Sequence, residues 1–181
     1  MTTRRTTTPR ITPGRALLYG TLVVGTLDIL EVIVFVGMRG VPPVRVLQSV
    51  ASGVLGRGAY QGGLPAALLG TLLHFTIAFA AVALYQVASR RFGFLTRHPL
   101  VWGPLYGVGV WLVMNLIVVP LSAAAIGSPT PASIINGLLI HALGVGLPSA
   151  LFARAAIAPA PAPERESTRL AAGGSRPRAR V

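Results

Sequence analysis

The residues of this sequence that could exchange a proton or hold a cation stand inside its apolar stretches. Asp28 and Glu31 interrupt the first stretch, and His74, Asn115 and His141 stand in the three later ones. An uncompensated charge inside a bilayer costs several kcal/mol on most scales, so each carboxylate needs a partner there. Carboxylates and imidazoles can pass a proton between them, and a set of both can hold a metal ion.

The two carboxylates stand on one side of a helix. Asp28 and Glu31 are three residues apart, which separates their side chains by about 60° around a helix and by one turn along it. Two such groups do not easily ionise together in a low dielectric. We therefore expect one of them to hold a proton, or an imidazolium or another cation to neutralise the pair.

Four apolar segments must position these side chains, namely residues 16–38, 64–88, 100–121 and 131–153. Each meets the length of about 20 residues that a helix needs to cross a bilayer. Only 11% of the residues are charged and 52% are hydrophobic, whereas soluble domains have about 25% charged residues. An ordinary soluble enzyme is therefore excluded. The predicted fold class is an all-α integral membrane protein, with four transmembrane helices in an up-down bundle.

Depth in the membrane brings three of the candidate residues to one level. At 1.5 Å of rise per residue, Asp28, His74 and His141 each lie about 15 Å from the extracytoplasmic end of their helix. A shallower layer, roughly 7–11 Å from that end, comprises Glu31, Asn115 and Asn136. In an up-down bundle the second and fourth helices are diagonal neighbours, so His74 and His141 are expected to face each other. Asn136 is five residues from His141, about 140° around the helix, and is expected on another face.

Three functions fit this polar cluster. Asp28, Glu31, His74, Asn115 and His141 could form a proton or ion pathway. They could instead hydrogen-bond one another in a structural or accessory protein. As a third function, His74 and His141 could ligate a haem, or could hold a divalent metal together with the carboxylates. We favour ion or proton handling, and we favour no cofactor over haem or metal.

A shorter helix is predicted between the first two spans, over residues 43–55. Pro42 and Pro43 can open it, and a cluster of glycines follows it. Its polar side chains fall within an arc of roughly 100° and are Arg45, Gln48, Ser49 and Ser52. Such an amphipathic helix is expected to lie in the membrane interface or to re-enter the bilayer.

Arginine placement predicts the orientation. All 16 basic residues are arginines, and with the N-terminus inside the cell 13 of them fall on the cytoplasmic side and three on the other. Both termini are therefore predicted to be cytoplasmic. Residues 1–15 and 155–181 are predicted to be disordered segments flanking a transmembrane domain of residues 16–154. The expected anionic partner is phospholipid at the cytoplasmic face rather than nucleic acid.

Small residues at four-residue spacing predict close helix packing. Gly103 and Gly107 form one such pair, and Ala142 and Gly146 form another. The same pairs could also join two copies of the chain. Neither a phosphate-binding loop nor a Gly-x-Ser-x-Gly motif is found, so an enzyme is not favoured.

Three segments carry a resemblance to a known family. They are LHFTIAFAAVALY at residues 73–85, residues 102–121 with their final VPL, and NGLLIH at residues 136–141. These segments resemble the YagU-like family of uncharacterised bacterial inner-membrane proteins, over about half of the chain. The resemblance implies a small multi-pass protein of the bacterial inner membrane. It implies no biochemical activity, and the segment between the first two spans departs from the family in length and composition.

Overall fold

A computed structural model describes residues 11–157, and this part of the chain is helical and contains no strand. Four of its helices are long and apolar enough to cross a membrane. They are α1 (Pro13–Gly37), α3 (Gly63–Arg91), α5 (Pro99–Leu121) and α6 (Pro131–Ala156). Two shorter helices connect them, α2 (Pro43–Leu55) and α4 (Phe94–Arg97). The predicted all-α class with four spans and one additional helix is confirmed.

The ends of the spans differ from the predicted ends by a few residues. Helix α1 begins three residues early because Pro13 suits the first helical position and the Thr12 side chain accepts a hydrogen bond from the backbone N–H of Arg15 at 3.4 Å. Pro13–Arg15, predicted to be disordered, thus form its first turn. Helix α6 likewise continues to Ala156. The rest of the two predicted disordered segments, residues 1–10 and 158–181, lies outside the described residues.

The outer faces of the spans are covered by large apolar side chains. Leu72 and Leu116 are 65% and 68% exposed, and similar leucines and valines cover the other spans. Soluble monomers rarely expose contiguous apolar surface on this scale, whereas a lipid-facing surface requires it because hydrocarbon chains cover it. These four helices therefore indicate a multi-pass membrane protein.

Helix α6 is the centre of the bundle. It packs against α1, α3 and α5, and α1 also packs against α3. The second and fourth spans, α3 and α6, are thus in direct contact across the bundle. The consecutive spans α3 and α5 make almost no close backbone contact, and a groove separates them.

Glycines let α5 and α6 approach closely. A Cβ atom added at Gly107 would collide with the carbonyl oxygen of His141, and one added at Gly146 would collide with that of Gly103. Ala142 lies at the same contact, with its Cα 2.9 Å from the position of a Cβ at Gly107. The predicted small-residue packing is therefore made within one chain. Association of two copies through these residues stays a prediction.

Helix α2 packs along α3, where a Cβ at Gly70 would collide with the Leu47 carbonyl oxygen. Its interfacial or re-entrant position in the bilayer stays a prediction. Gln48 and Ser52, predicted on the polar arc, are buried. The Gln48 side chain donates to the Gly63 carbonyl at 3.0 Å, and the Ser52 hydroxyl accepts from the Ala125 N–H at 3.2 Å. Gln48 and Ser52 thus face the protein, where they pair with backbone groups, whereas Arg45 of the same arc is exposed.

Each of the last two spans contains a π-helical segment. These segments are Met114–Val118 in α5 and His141–Gly146 in α6. Pro120 and Pro148 stand two residues after the last residue of each segment. Proline lacks an N–H and its ring crowds the carbonyl four residues earlier, so the preceding turn widens. The wide turn of α6 begins at a candidate site residue, His141.

Candidate functional site

Asp28 stands between two histidines in the middle of the bundle. Its Oδ2 is 4.0 Å from Nδ1 of His74, and its Oδ1 is 3.8 Å from Nδ1 of His141. The side chains of Asp28, His74 and His141 are 23%, 12% and 19% exposed. Helices α1, α3 and α6 each supply one of them, so the three residues predicted at one depth do lie together.

A backbone carbonyl orients the ring of His74. Its Nε2 lies 2.8 Å from the Gly25 oxygen, and because a carbonyl only accepts, Nε2 must donate. In a neutral ring Nδ1 then carries a lone pair, which faces the carboxylate of Asp28. Two facing lone pairs repel each other, whereas one proton on either partner turns the contact into an attraction. At 4.0 Å these two atoms are farther apart than a direct hydrogen bond allows.

His141 is oriented from within its own helix. Its Nδ1 lies 3.0 Å from the Gly137 oxygen and donates to it. The same nitrogen lies 3.8 Å from Oδ1 of Asp28, which is longer than a hydrogen bond. In a neutral ring Nε2 of His141 then carries the lone pair. The two imidazoles thus present Asp28 with one acceptor and one donor when both rings are neutral.

A cavity of about 230 Å³ adjoins this cluster. Asp28, His74, His141 and Asn115 line it together with apolar side chains. The Asn115 amide donates to the Trp111 carbonyl at 2.9 Å, and Asn115 lies in a π-helical segment of α5.

A second cavity of about 250 Å³ contains Glu31. Asn136 and Ser133 of α6 line it, and so do Asp28 and both histidines. Asn136 and His141 therefore share a cavity, contrary to the separate faces expected for them. Glu31 Oε2 is buried and has no hydrogen-bond partner among the described residues. Glu31 thus adjoins the cluster without forming an ion pair in it.

The haem or metal function stays a prediction. In the described part of the chain, no group of three or more His, Asp or Glu side chains is arranged to hold a metal ion. Each histidine donates one nitrogen to a backbone carbonyl, which leaves its other ring nitrogen as a ligand atom. The cavity between them, about 230 Å³, is smaller than the roughly 300–1,000 Å³ of ordinary ligand pockets.

Some residues of the site had not been identified from the sequence. Val50 of α2 lines both polar cavities, so α2 closes them at one end. The carbonyls of Gly25 and Gly137 fix the two rings. The four-residue spacing of Gly137 and His141 could have suggested the second bond, whereas the position of Val50 depends on tertiary packing.

Comparisons of the chain with protein-family models, with curated proteins and with solved structures returned no significant match.

Proposed function

We propose that the chain is a proton-handling membrane protein in which Asp28 is the group that exchanges the proton. The observation that carries this proposal is the position of Asp28 between two imidazoles, at 4.0 Å and 3.8 Å, inside helices with the length and apolarity of membrane spans. A carboxylate with two orientated imidazoles can take a proton from one side and give it to the other.

Two cavities adjoin Asp28, and the proposed exchange would use both of them. Both are lined by Asp28, His74 and His141, and only the second is lined by Glu31. Glu31 is therefore the next proton-binding group along the second cavity, and Asn115 is a hydrogen-bonding group in the first. Val50 of α2 lies against both cavities, so a movement of α2 would open the site toward that end of the bundle.

Orientation and location belong to the same proposal. The excess of arginine beside the termini and in the connection between α3 and α5 supports a cytoplasmic position of these segments, beside anionic phospholipid. The α2 end then faces away from the cytoplasm. The resemblance to the YagU-like family supports the inner membrane of a bacterium as the location.

Proton flux into proteoliposomes tests the proposal. A pH gradient with a lipid-permeant counter-ion should drive flux through the parent protein, and Asp28→Asn should remove it, because asparagine cannot ionise. Glu164→Gln is the matched control, since it removes one carboxylate from outside the predicted spans, and it should leave the flux unchanged. A parent without flux, or an Asp28→Asn variant with full flux, would contradict the proposal.

A structural polar core is the second candidate function. The bond from His74 to the Gly25 carbonyl joins α3 to α1, which favours a role in helix association. His74→Gln separates the two functions, with His98→Gln as a control outside the polar cavities. The structural function predicts lower thermal stability only for His74→Gln, with no flux in the parent protein.

A further inference from the structure

The groove between α3 and α5 is an apolar cavity on the side of the bundle. Its volume is about 430 Å³, and its polar lining group is the hydroxyl of Tyr106, which donates to the Ala81 carbonyl at 2.7 Å. Leu84 and Val113 on its walls are 61% and 49% exposed, so the groove opens at the surface that the spans present to lipid.

The groove lies beside the polar cavity that contains Asp28. Four residues line both spaces, namely Ile77, Ala81, Val110 and Met114. A molecule lying in the groove would therefore have one side toward the lipid and the other toward the wall of the Asp28 cavity. An apolar groove beside a compact polar cavity suits an amphiphile.

The charges that line the polar cavities determine which polar group such a molecule can carry. Asp28 lines both polar cavities and Glu31 lines the second, and among the described residues no arginine lines either of them. An anionic group in the first cavity would face the Asp28 carboxylate without a permanent positive charge to balance it, whereas a cation would replace the proton at Asp28.

We infer that this site takes a lipophilic cation, an ammonium or phosphonium ion with apolar substituents, and that the cation and the proton compete for Asp28. The inference rests on the proposed function, because the proton that the cation displaces is the one that Asp28 exchanges. No covalent bond changes in the exchange. One cation enters through the groove, and one proton leaves the Asp28–His74 pair for water.

Binding of tetraphenylphosphonium to the detergent-purified chain tests this inference. The cation should bind more weakly as the pH falls, and its binding in weak buffer should release protons. Asp28→Asn should weaken binding by about tenfold or more, since the variant loses a charge-assisted contact. Binding that is absent at every pH, or that neither pH nor this substitution changes, would overturn the inference.

Gly109→Phe provides a second test that leaves Asp28 intact. Gly109 lines the groove, and a Cβ there meets open space, so the phenyl ring can fill the groove without a clash at its base. It should weaken tetraphenylphosphonium binding by about tenfold. Gly37→Phe is the matched control, because a Cβ at Gly37 also meets open space and Gly37 lies outside the groove. Equal binding by these two variants would contradict entry through the groove, even if Asp28→Asn fails to fold.

Flux measured on the same preparations separates the two proposals. Proton flux that depends on Asp28, without cation binding, would overturn the lipophilic-cation inference and leave the proposed function standing. Cation binding that depends on pH, without proton flux in the parent protein, would support the cation site and overturn proton transport.

Discussion

Helix α5 presents two different faces to its neighbours. Toward α6 it carries Gly103 and Gly107, where the two backbones touch, and toward α3 it carries Gly109, where a Cβ would meet open space. Hydrocarbon does not drive apolar helices together as water does, so helices in a membrane associate where small residues let their backbones pack. Glycine thus allows close backbone packing between α5 and α6, whereas Gly109 leaves a groove between α5 and α3.

The largest expected effect is the difference in stability between two leucine substitutions in α5. Gly107→Leu should destabilise the fold by about 3 kcal/mol or more, because its side chain would fall on the His141 carbonyl and the backbones would have to separate. Gly109→Leu should change stability little, because its side chain enters open space. Thermal unfolding in detergent measures both, and equal stabilities would break the distinction between the two faces.

A smaller effect is expected where α2 meets α3. Gly70→Leu would push against the Leu47 carbonyl, at a cost of about 1–3 kcal/mol. Since α2 is not one of the four spans, the spans should stay folded while α2 loosens. Amide hydrogen exchange should become faster within Pro43–Leu55 and stay unchanged in α6. Faster exchange throughout α6 would show that α2 and the spans unfold as one unit.

The smallest effect concerns the one hydroxyl that bridges the groove. Tyr106→Phe removes its 2.7 Å hydrogen bond to the Ala81 carbonyl and should cost about 0.5–1 kcal/mol of stability. Tyr19→Phe is a control at a residue that is 47% exposed, and it should cost less. A loss from Tyr106→Phe as large as that from Gly107→Leu would mean that the groove is held as firmly as the glycine contact.

The spans and the meeting of Asp28 with two histidines could be predicted because both depend on local quantities. Apolar length identifies a span, and rise per residue gives the depth of Asp28, His74 and His141. Such a count gives depth alone, and it does not predict that Asn115 lines one cavity together with Asp28. The burial of Gln48 and the position of Val50 against the site depend on tertiary packing, which periodicity alone does not contain.

The central claim is that Asp28 carries the exchangeable proton, and infrared difference spectroscopy across a pH titration tests it most directly. The parent protein should show a carboxylic C=O band that is lost as the carboxylate forms. This band should be absent from Asp28→Asn and present in Glu164→Gln. A titrating band that is identical in the parent protein and in Asp28→Asn would show that another group holds the proton.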